Sequence, residues 1–383
     1  MNVMILGGDG FCGWPTSLRL SKLGFNVCIV DNFSRRNIDI ELGTESLTPI
    51  KPLEKRIASW KSATGLDISF KNIDVANDYA YLKNAIETFA PTTIINFAEQ
   101  RAAPYSMKSP WHKHFTITNN LGSNCNLLAA IAELKMDIHV VHLGTMGVYG
   151  YGTSGFKIPE GYVSVKVDGT NQKQEILYPA SPGSIYHLTK CQDQLLFAFY
   201  AKNDGIRITD LHQGIVWGTE TLETRLDEDL INRFDYDGDF GTVLNRFIMQ
   251  SQLNYPLTVH GSGRQTRAFI NIQDTVNCIE LVVKIANEDH SRVRIMNQMT
   301  ETQNVIGLAQ TISDLTGVEI AHLDNPRKEA DENELHVTND ALLDLGLNPV
   351  FIENGLLTEI AGVAKKYKDR CDVSKIPCIS NWS

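Results

Sequence analysis

The 383-residue chain has no cysteine pair spaced CxxC and no cluster of cysteine with histidine. Its seven cysteines (12, 28, 125, 191, 278, 371 and 378) are scattered, several inside apolar runs where a small buried thiol is the ordinary expectation. That pattern argues against a structural zinc site and for a reducing compartment. A long basic run is also missing, and acidic residues outnumber basic ones by 45 to 35. A sequence-independent nucleic-acid surface is therefore not expected. No apolar stretch approaches the roughly 18 residues that a membrane-spanning helix needs. The sequence opens on "MNVMILGG", which already reads as a strand, so the expectation is of no leader segment and a cytoplasmic protein.

What is present is alternation. "VMIL" (3–6), "VCIV" (27–30), "TIINFA" (93–98), "IHVVHLG" (138–144) and "IRITDLH" (206–212) read as strands. Their near-continuous hydrophobicity suits a parallel sheet covered on both faces. Helical patterns lie between them, at 119–135 and 186–203 for example. The order strand, helix, strand implies an α/β fold with a doubly wound parallel sheet and a smaller C-terminal α/β substrate domain. The division expected is 1–218 for nucleotide binding and 219–383 mainly for substrate, with a segment near 258–286 returning to the sheet. Residues 151–183 and 219–241 read as insertions, and the acidic stretch "TETLETRLDEDL" (219–230) as a solvated lid or surface helix.

Gly7, Gly10 and Gly13 fall between the first strand and the first helix. In that setting Gly7 permits a tight turn, Gly10 lets backbone approach a pyrophosphate, and Gly13 allows close helix packing. Asp31 ends the second strand, placed to accept hydrogen bonds from a ribose diol, which favours NAD over its 2′-phosphorylated form. Arg35 and Arg36 follow and have the charge to attract such a phosphate. Asp74 and Val75, after the third strand, are candidate adenine contacts, with a capping role for Asp74 as the competing reading.

In "SIYHLTK" (184–190), Tyr186 and Lys190 share one helix face. A tyrosine with a pKa near 10 is a poor base at neutral pH. A lysine ammonium one turn away, beside a cationic nicotinamide, would favour the phenolate. Thr145, at the end of "IHVVHLGT", is the third polar group expected beside a substrate hydroxyl.

Together these stretches, with "FAEQRAAPYSMKSP" (97–110), "NNLG" (119–122), "TMGVYG" (145–150) and "GSGRQTRAFINIQD" (261–274), resemble the extended short-chain dehydrogenases/reductases that act on nucleotide sugars. The resemblance implies a Rossmann sheet and an NAD that stays bound, oxidises the sugar C4 hydroxyl and later returns the hydride. It implies cofactor contacts from Phe11, Cys12, Asn32, Ser34, Ala98, Gln100, Asn119 and Val216 besides those above. In the family's 4,6-dehydratases an Asp-Glu pair follows the threonine; here Met146 and Gly147 stand instead. Elimination at C6 then lacks its usual carboxylates, and the resemblance is stronger to members that join UDP-glucose with sulfite. Carboxylates beside C6 would repel that anion, whereas Met146 would not.

His187 is then a candidate for the vacated proton transfer or for holding sulfite, the alternative being a packed helix residue. The family pattern implies substrate contacts from Arg101, Gln213, Thr242, Asn245, Arg246, Gln265, Arg267, Asn325 and Arg327. Arginine suits the diphosphate because its planar fork matches phosphate oxygens. Sulfite arriving free or from a donor protein, and a homodimer, complete the expectations; no metal is among them. The competing functions are a UDP-glucose 4-epimerase, an atypical nucleotide-sugar dehydratase, and a non-catalytic NAD-binding sensor or scaffold.

Overall fold

A computed structural model describes residues 1–150, 152, 155–170, 172–285, 292–325 and 333–377. Seven parallel strands form the main sheet. Their order across it is Arg294–Gln298, Arg207–Gln213, His139–Thr145, Thr93–Asn96, Asn2–Leu6, Asn26–Asp31 and Ile68–Asn72. The sequence doubles outward from Asn2–Leu6 in both directions, as right-handed crossovers require. Both faces are buried: Val3, Ile5, Val27 and Ile29 pack with Trp14 and Leu18 on one side. Met4, Leu6, Val30 and Ile94 pack with Leu127, Leu128 and Phe197 on the other. That explains why these strands are apolar throughout rather than alternating.

Two long helices cover the second face. One spans Pro110–Leu134, nine residues further toward the N-terminus than the periodicity predicts. Ser109 caps it, accepting from the His112 N–H, and Pro110 occupies the first turn where its missing N–H costs nothing. The other spans Ile185–Asp204, capped by Ser184 and closed by Gly205 in the left-handed region.

The segment expected to return to the sheet behaves differently. Thr266–Asn271 joins a three-stranded sheet with Ile215–Trp217 and Glu301–Asn304. Only its helix, Ile272–Lys284, packs on the main sheet, and Arg294–Gln298 supplies the seventh strand. A second apolar cluster, centred on Trp217, Phe247, Phe269 and Ile312, underlies this smaller sheet.

The two stretches read as insertions also gain structure. Tyr162–Lys166 and Lys173–Leu177 form an antiparallel hairpin. The acidic stretch after Thr219 is not a solvated helix: Thr219, Thr221, Glu223 and Thr224 are buried. Arg19 neutralises Glu223 at 3.0 Å, and the Trp14 indole donates to the Leu230 carbonyl at 2.9 Å. Charge pairing and buried threonines override its acidic composition.

Candidate active site

Two cavities meet at the carboxyl ends of the main strands. The first, of about 120 Å³, runs from the glycine turn past Asp31 to Tyr186 and Lys190. The turn is sterically committed. A Cβ on Gly13 would lie 2.2 Å from the Gly7 carbonyl oxygen, and Gly7 has φ +78° with Phe97 backbone 2.7 Å from a Cβ there. Of the expected cofactor residues, Gly10, Phe11, Cys12, Asn32, Ser34, Asp74, Val75, Ala98, Gln100 and Asn119 also line this cavity. Val216 lines the neighbouring one instead.

Asp31 accepts from the backbone N–H of Asp9 at 2.9 Å and of Phe33 at 2.7 Å. Burial and the Asp9 carboxylate push it up to about 6. The arginines expected near a 2′-phosphate are otherwise engaged. Arg36 is held by Asp9 and the Lys51 carbonyl, and Arg35 by Asp39 and Asp235. Asp74 takes the competing role, accepting from the N–H groups of Ala76 and Asn77, while still facing the cavity. The Gln100 amide closes on Ala102 rather than reaching outward. The turn, the ribose-side carboxylate and the lining fit a dinucleotide, which when bound would accept and return a hydride.

The second cavity, of about 280 Å³, opens beside the first. Arg101, Thr145, Met146, Tyr186, His187, Gln213, Thr242, Asn245, Arg246, Gln265, Arg267 and Asn325 line it. Arg327 lies outside the described residues. Phe11, Cys12, Arg101, Gly144, Tyr186, Gln213, Asp235 and Phe240 line both cavities, so a ligand in each would meet at Tyr186.

The Lys190 ammonium is 2.7 Å from Glu99 Oε2, donates to the Leu143 carbonyl at 2.7 Å and sits 3.2 Å from His142 Nε2. Against the cost of burial, Glu99 holds it well above the ordinary lysine range. Burial raises Tyr186, Lys190 lowers it, Glu99 raises it again and Thr145 lowers it. The expected depression of Tyr186 by Lys190 alone is thus outweighed, because Glu99 offsets the lysine and the ring is dry.

His187 turns its ring into the same cavity as Tyr186, with ring centroids 5.2 Å apart. Its Nδ1 is 3.0 Å from the Ser184 hydroxyl. The ring fills the space above residue 147, which only glycine leaves open. Buried Met146 lines the same wall.

Arg101 pairs with Asp235 at 2.7 Å, between the rings of Phe11 and Phe240. Arg35 and Arg233 bind the same carboxylate, each at 3.2 Å. Although burial opposes it, Arg35, Arg233 and Arg101 hold Asp235 well below the usual carboxylate range. Arg267 is buried and donates to Asn333 Oδ1 at 3.0 Å.

Glu99, Arg233, Asp235 and Phe240 escaped the sequence reading. "INRFDYDGDFGT" offered a signal in one arginine followed by three aspartates at every second position, masked by the acidity of the stretch before it. Glu99, Lys190 and other buried groups could also suggest a cation site. Among the described residues, Glu99, His142 and Asp193 form one trio with metal-ligand types within 4.8 Å. The Lys190 ammonium already stands against two of them.

The sequence profile described as the NAD dependent epimerase/dehydratase family matches residues 3–297. A chloroplastic UDP-sulfoquinovose synthase of spinach is 42% identical over 99% of this chain and 79% of its own length. A UDP-sulfoquinovose synthase of Sulfolobus acidocaldarius is 37% identical over 91% of this chain and 88% of its own. Among solved structures, UDP-glucose 4-epimerase of Thermotoga maritima superposes with a TM-score of 0.71 at 19% identity, covering 94% of this chain and 98% of that one. A Bacillus cereus UDP-glucuronic acid 4-epimerase holding NAD and UDP-glucuronic acid gives 0.70 at 20% identity, covering 96% and 100%. No helix among the described residues is long and apolar enough to cross a membrane.

Proposed function

The chain belongs to the NAD dependent epimerase/dehydratase family, and we propose that within it the protein makes UDP-sulfoquinovose from UDP-glucose and sulfite. The observation that carries this reading is the exchange at residues 146, 147 and 187. Where a dehydratase of this family would present two carboxylates, the cavity presents Met146, a bare Gly147 and the His187 ring. The two synthases similar along nearly the whole chain support the same reading.

NAD held between the glycine turn and Tyr186 supplies the hydride chemistry. The chain's own residues do the rest. Thr145 and Tyr186 meet the sugar C4 hydroxyl, and Tyr186 takes its proton as the carbonyl forms. The acidified C5 position then loses a proton as the C6 hydroxyl leaves. His187, whose Nδ1 is 3.0 Å from the Ser184 hydroxyl, takes that C5 proton and passes it to the leaving hydroxyl, which departs as water. Sulfite, entering as hydrogen sulfite, adds to the resulting C5=C6 bond through sulfur while its proton ends on C5, and Tyr186 returns the first proton as the C4 carbonyl is reduced. No net oxidation occurs. Arg101 supplies the positive charge that an incoming anion needs, and Arg267 and Arg246 line the cavity where the sugar diphosphate would lie.

Leu195 and Phe199, one turn apart on Ile185–Asp204, are 67% and 59% exposed. That apolar stripe on a helix packed beside Pro110–Leu134 supports a homodimer through the two helices. Sedimentation of the purified protein tests the dimer. Nucleotide-sugar masses after incubation with UDP-glucose, with and without sulfite, test the activity. A sulfite-independent UDP-galactose would instead make the protein an epimerase.

A further inference from the structure

Where the first cavity ends beside Tyr186, the Lys190 ammonium stands against Glu99, with Asp193 and Asp210 buried nearby. Glu99 follows the strand Thr93–Asn96, and its carboxylate and the Lys190 ammonium are each 4% exposed. Asp193 lies three residues beyond Lys190 on the same helix and is buried, and neither of its oxygens has a partner at hydrogen-bond distance. Its Oδ2 is 3.8 Å from His142 Nε2, and Glu99 Oε1 is 3.5 Å from the same atom. Asn124, from Pro110–Leu134, donates to Glu99 at 2.9 Å. Asp210, on Arg207–Gln213, faces the group from the neighbouring strand and pairs with His212 at 3.1 Å.

The charge balance of this pocket is unusual. Burial drives His142 well below the ordinary histidine range, helped by Lys190 and His212, so its ring is neutral. Among the described residues, Lys190 is then the cation paired with Glu99 and facing Asp193. Burial raises both carboxyl groups against the lowering by Lys190; the Glu99 charge raises Asp193 further, and Asp210 raises them both. Two carboxylates this close in a dry site cannot both ionise; they titrate as a pair. The pair holds one proton between them.

Where that proton sits matters to Tyr186. With the proton on Asp193, the Glu99 anion neutralises Lys190 at 2.7 Å, and the lysine does little for the phenolate. With the proton on Glu99, the lysine charge has no close anion except Tyr186.

We propose that Glu99 is a positioning residue for proton transfer at Tyr186. It shares one proton with Asp193, and the placement of that proton decides whether the Lys190 charge serves Glu99 or the Tyr186 oxygen. In the step, the shared proton passes from Asp193 to Glu99: one O–H bond breaks and one forms, the Lys190–Glu99 ion pair opens, and the Lys190 ammonium is left to favour the Tyr186 phenolate. The lysine stays an ammonium and net charge is unchanged. The phenolate then takes the proton of the substrate hydroxyl. This rests on the role given to Tyr186 above. It suits a cycle without net oxidation, because the charge that assists Tyr186 at the first step must be withdrawn at the last, and a proton moving between two buried side chains does both.

The test is an ultraviolet titration of Tyr186 on the NAD-loaded protein, reading tyrosinate absorbance with the Tyr186→Phe protein subtracted. Glu99→Gln leaves the remaining charge on Asp193, farther from Lys190, and lowers the Tyr186 midpoint by about one unit or more. Asp193→Asn confines the charge to Glu99 and raises the midpoint. Glu99→Asp, which keeps a carboxylate, stays near the unsubstituted protein. Opposite shifts from two isosteric changes are the signature; a purely structural role would move both midpoints the same way. Equal, parallel or absent shifts overturn the proposal, and Asp193→Asn alone overturns it by a downward shift should Glu99→Gln fail to fold. The titration uses no sugar substrate and no sulfite. Its failure is therefore distinct from a failure to make the sulfosugar.

Discussion

The His187 ring occupies the space that any side chain at Gly147 would take: a Cβ there would lie 2.2 Å from His187 Cδ2 and 2.5 Å from Nε2. The glycine and the histidine are thus one feature, contributed by the turn after His139–Thr145 and the first turn of Ile185–Asp204. A carboxylate at 147 and a histidine at 187 exclude one another in this backbone.

Gly147→Ala should therefore displace the His187 ring and destabilise the fold by about 1–3 kcal/mol. Its melting temperature falls and product formation is lost. Adding His187→Ala removes the obstacle, so the double variant regains the stability but not the activity. A Gly147→Ala protein with unchanged stability would contradict the overlap.

Tyr186→Phe should lower turnover by about two to four orders of magnitude, the usual loss for a proton-transferring group. NAD content and thermal stability stay close to those of the unsubstituted protein, since the partner of the Tyr186 hydroxyl, Thr145, belongs to the cavity wall and not to the core. Full activity in this variant would remove Tyr186 from the proton transfer, whereas no turnover even in the unsubstituted protein would leave the sensor or scaffold reading.

Asp31 carries a pH signature. Burial, then the Asp9 carboxylate, raises it to about 6 in the folded protein, above the ordinary aspartate value near 4. The sign follows directly. Without ligand its contribution to stability is complete below about pH 4 and is lost as pH rises through about 6, because the unfolded chain ionises first. NAD reverses the preference, since ribose hydroxyls donate to the carboxylate. NAD affinity of the stripped protein should fall by up to about tenfold per pH unit below 6, measured by fluorescence titration. Asp31→Asn should bind NAD weakly at every pH and flatten that dependence.

Asp235→Asn should be costly although no substrate atom need touch it. Arg35, Arg101 and Arg233 lose a shared anion inside the protein. Breaking buried pairs of this kind costs about 3–5 kcal/mol, read as a lowered denaturation midpoint. A change within experimental error would mean that Asp39 and solvent compensate the arginines.

Much of this arrangement was legible in the sequence, for a physical reason. Strands buried on both faces are apolar without interruption, and the glycine turn and the Tyr186–Lys190 pair are local in the chain. Their meaning survives without knowledge of tertiary contacts. The remainder depends on partners far away in sequence. Arg35 and Arg36 look available for a phosphate until Asp235 and Asp9 are seen to hold them. Glu99 and Lys190 are 2.7 Å apart but 91 positions apart in the chain. The segments TRAFIN (266–271) and RIMNQ (294–298) both mix polar with apolar residues, and only the surrounding packing decides which enters the main sheet. Helix starts were missed where a cap, Ser109 with Pro110, replaces apolar periodicity.

Carbon–sulfur bond formation on a UDP-sugar is followed with heavy-sulfur-labelled sulfite. The protein is incubated with UDP-glucose, NAD and the labelled sulfite, and the nucleotide sugars are resolved by mass and fragmentation. The expected product is a UDP-hexose with the label at C6 as a sulfonate and the C6 hydroxyl lost, formed only when sulfite is present. UDP-galactose, or a 4-keto-6-deoxy sugar free of label whether or not sulfite is added, would contradict it.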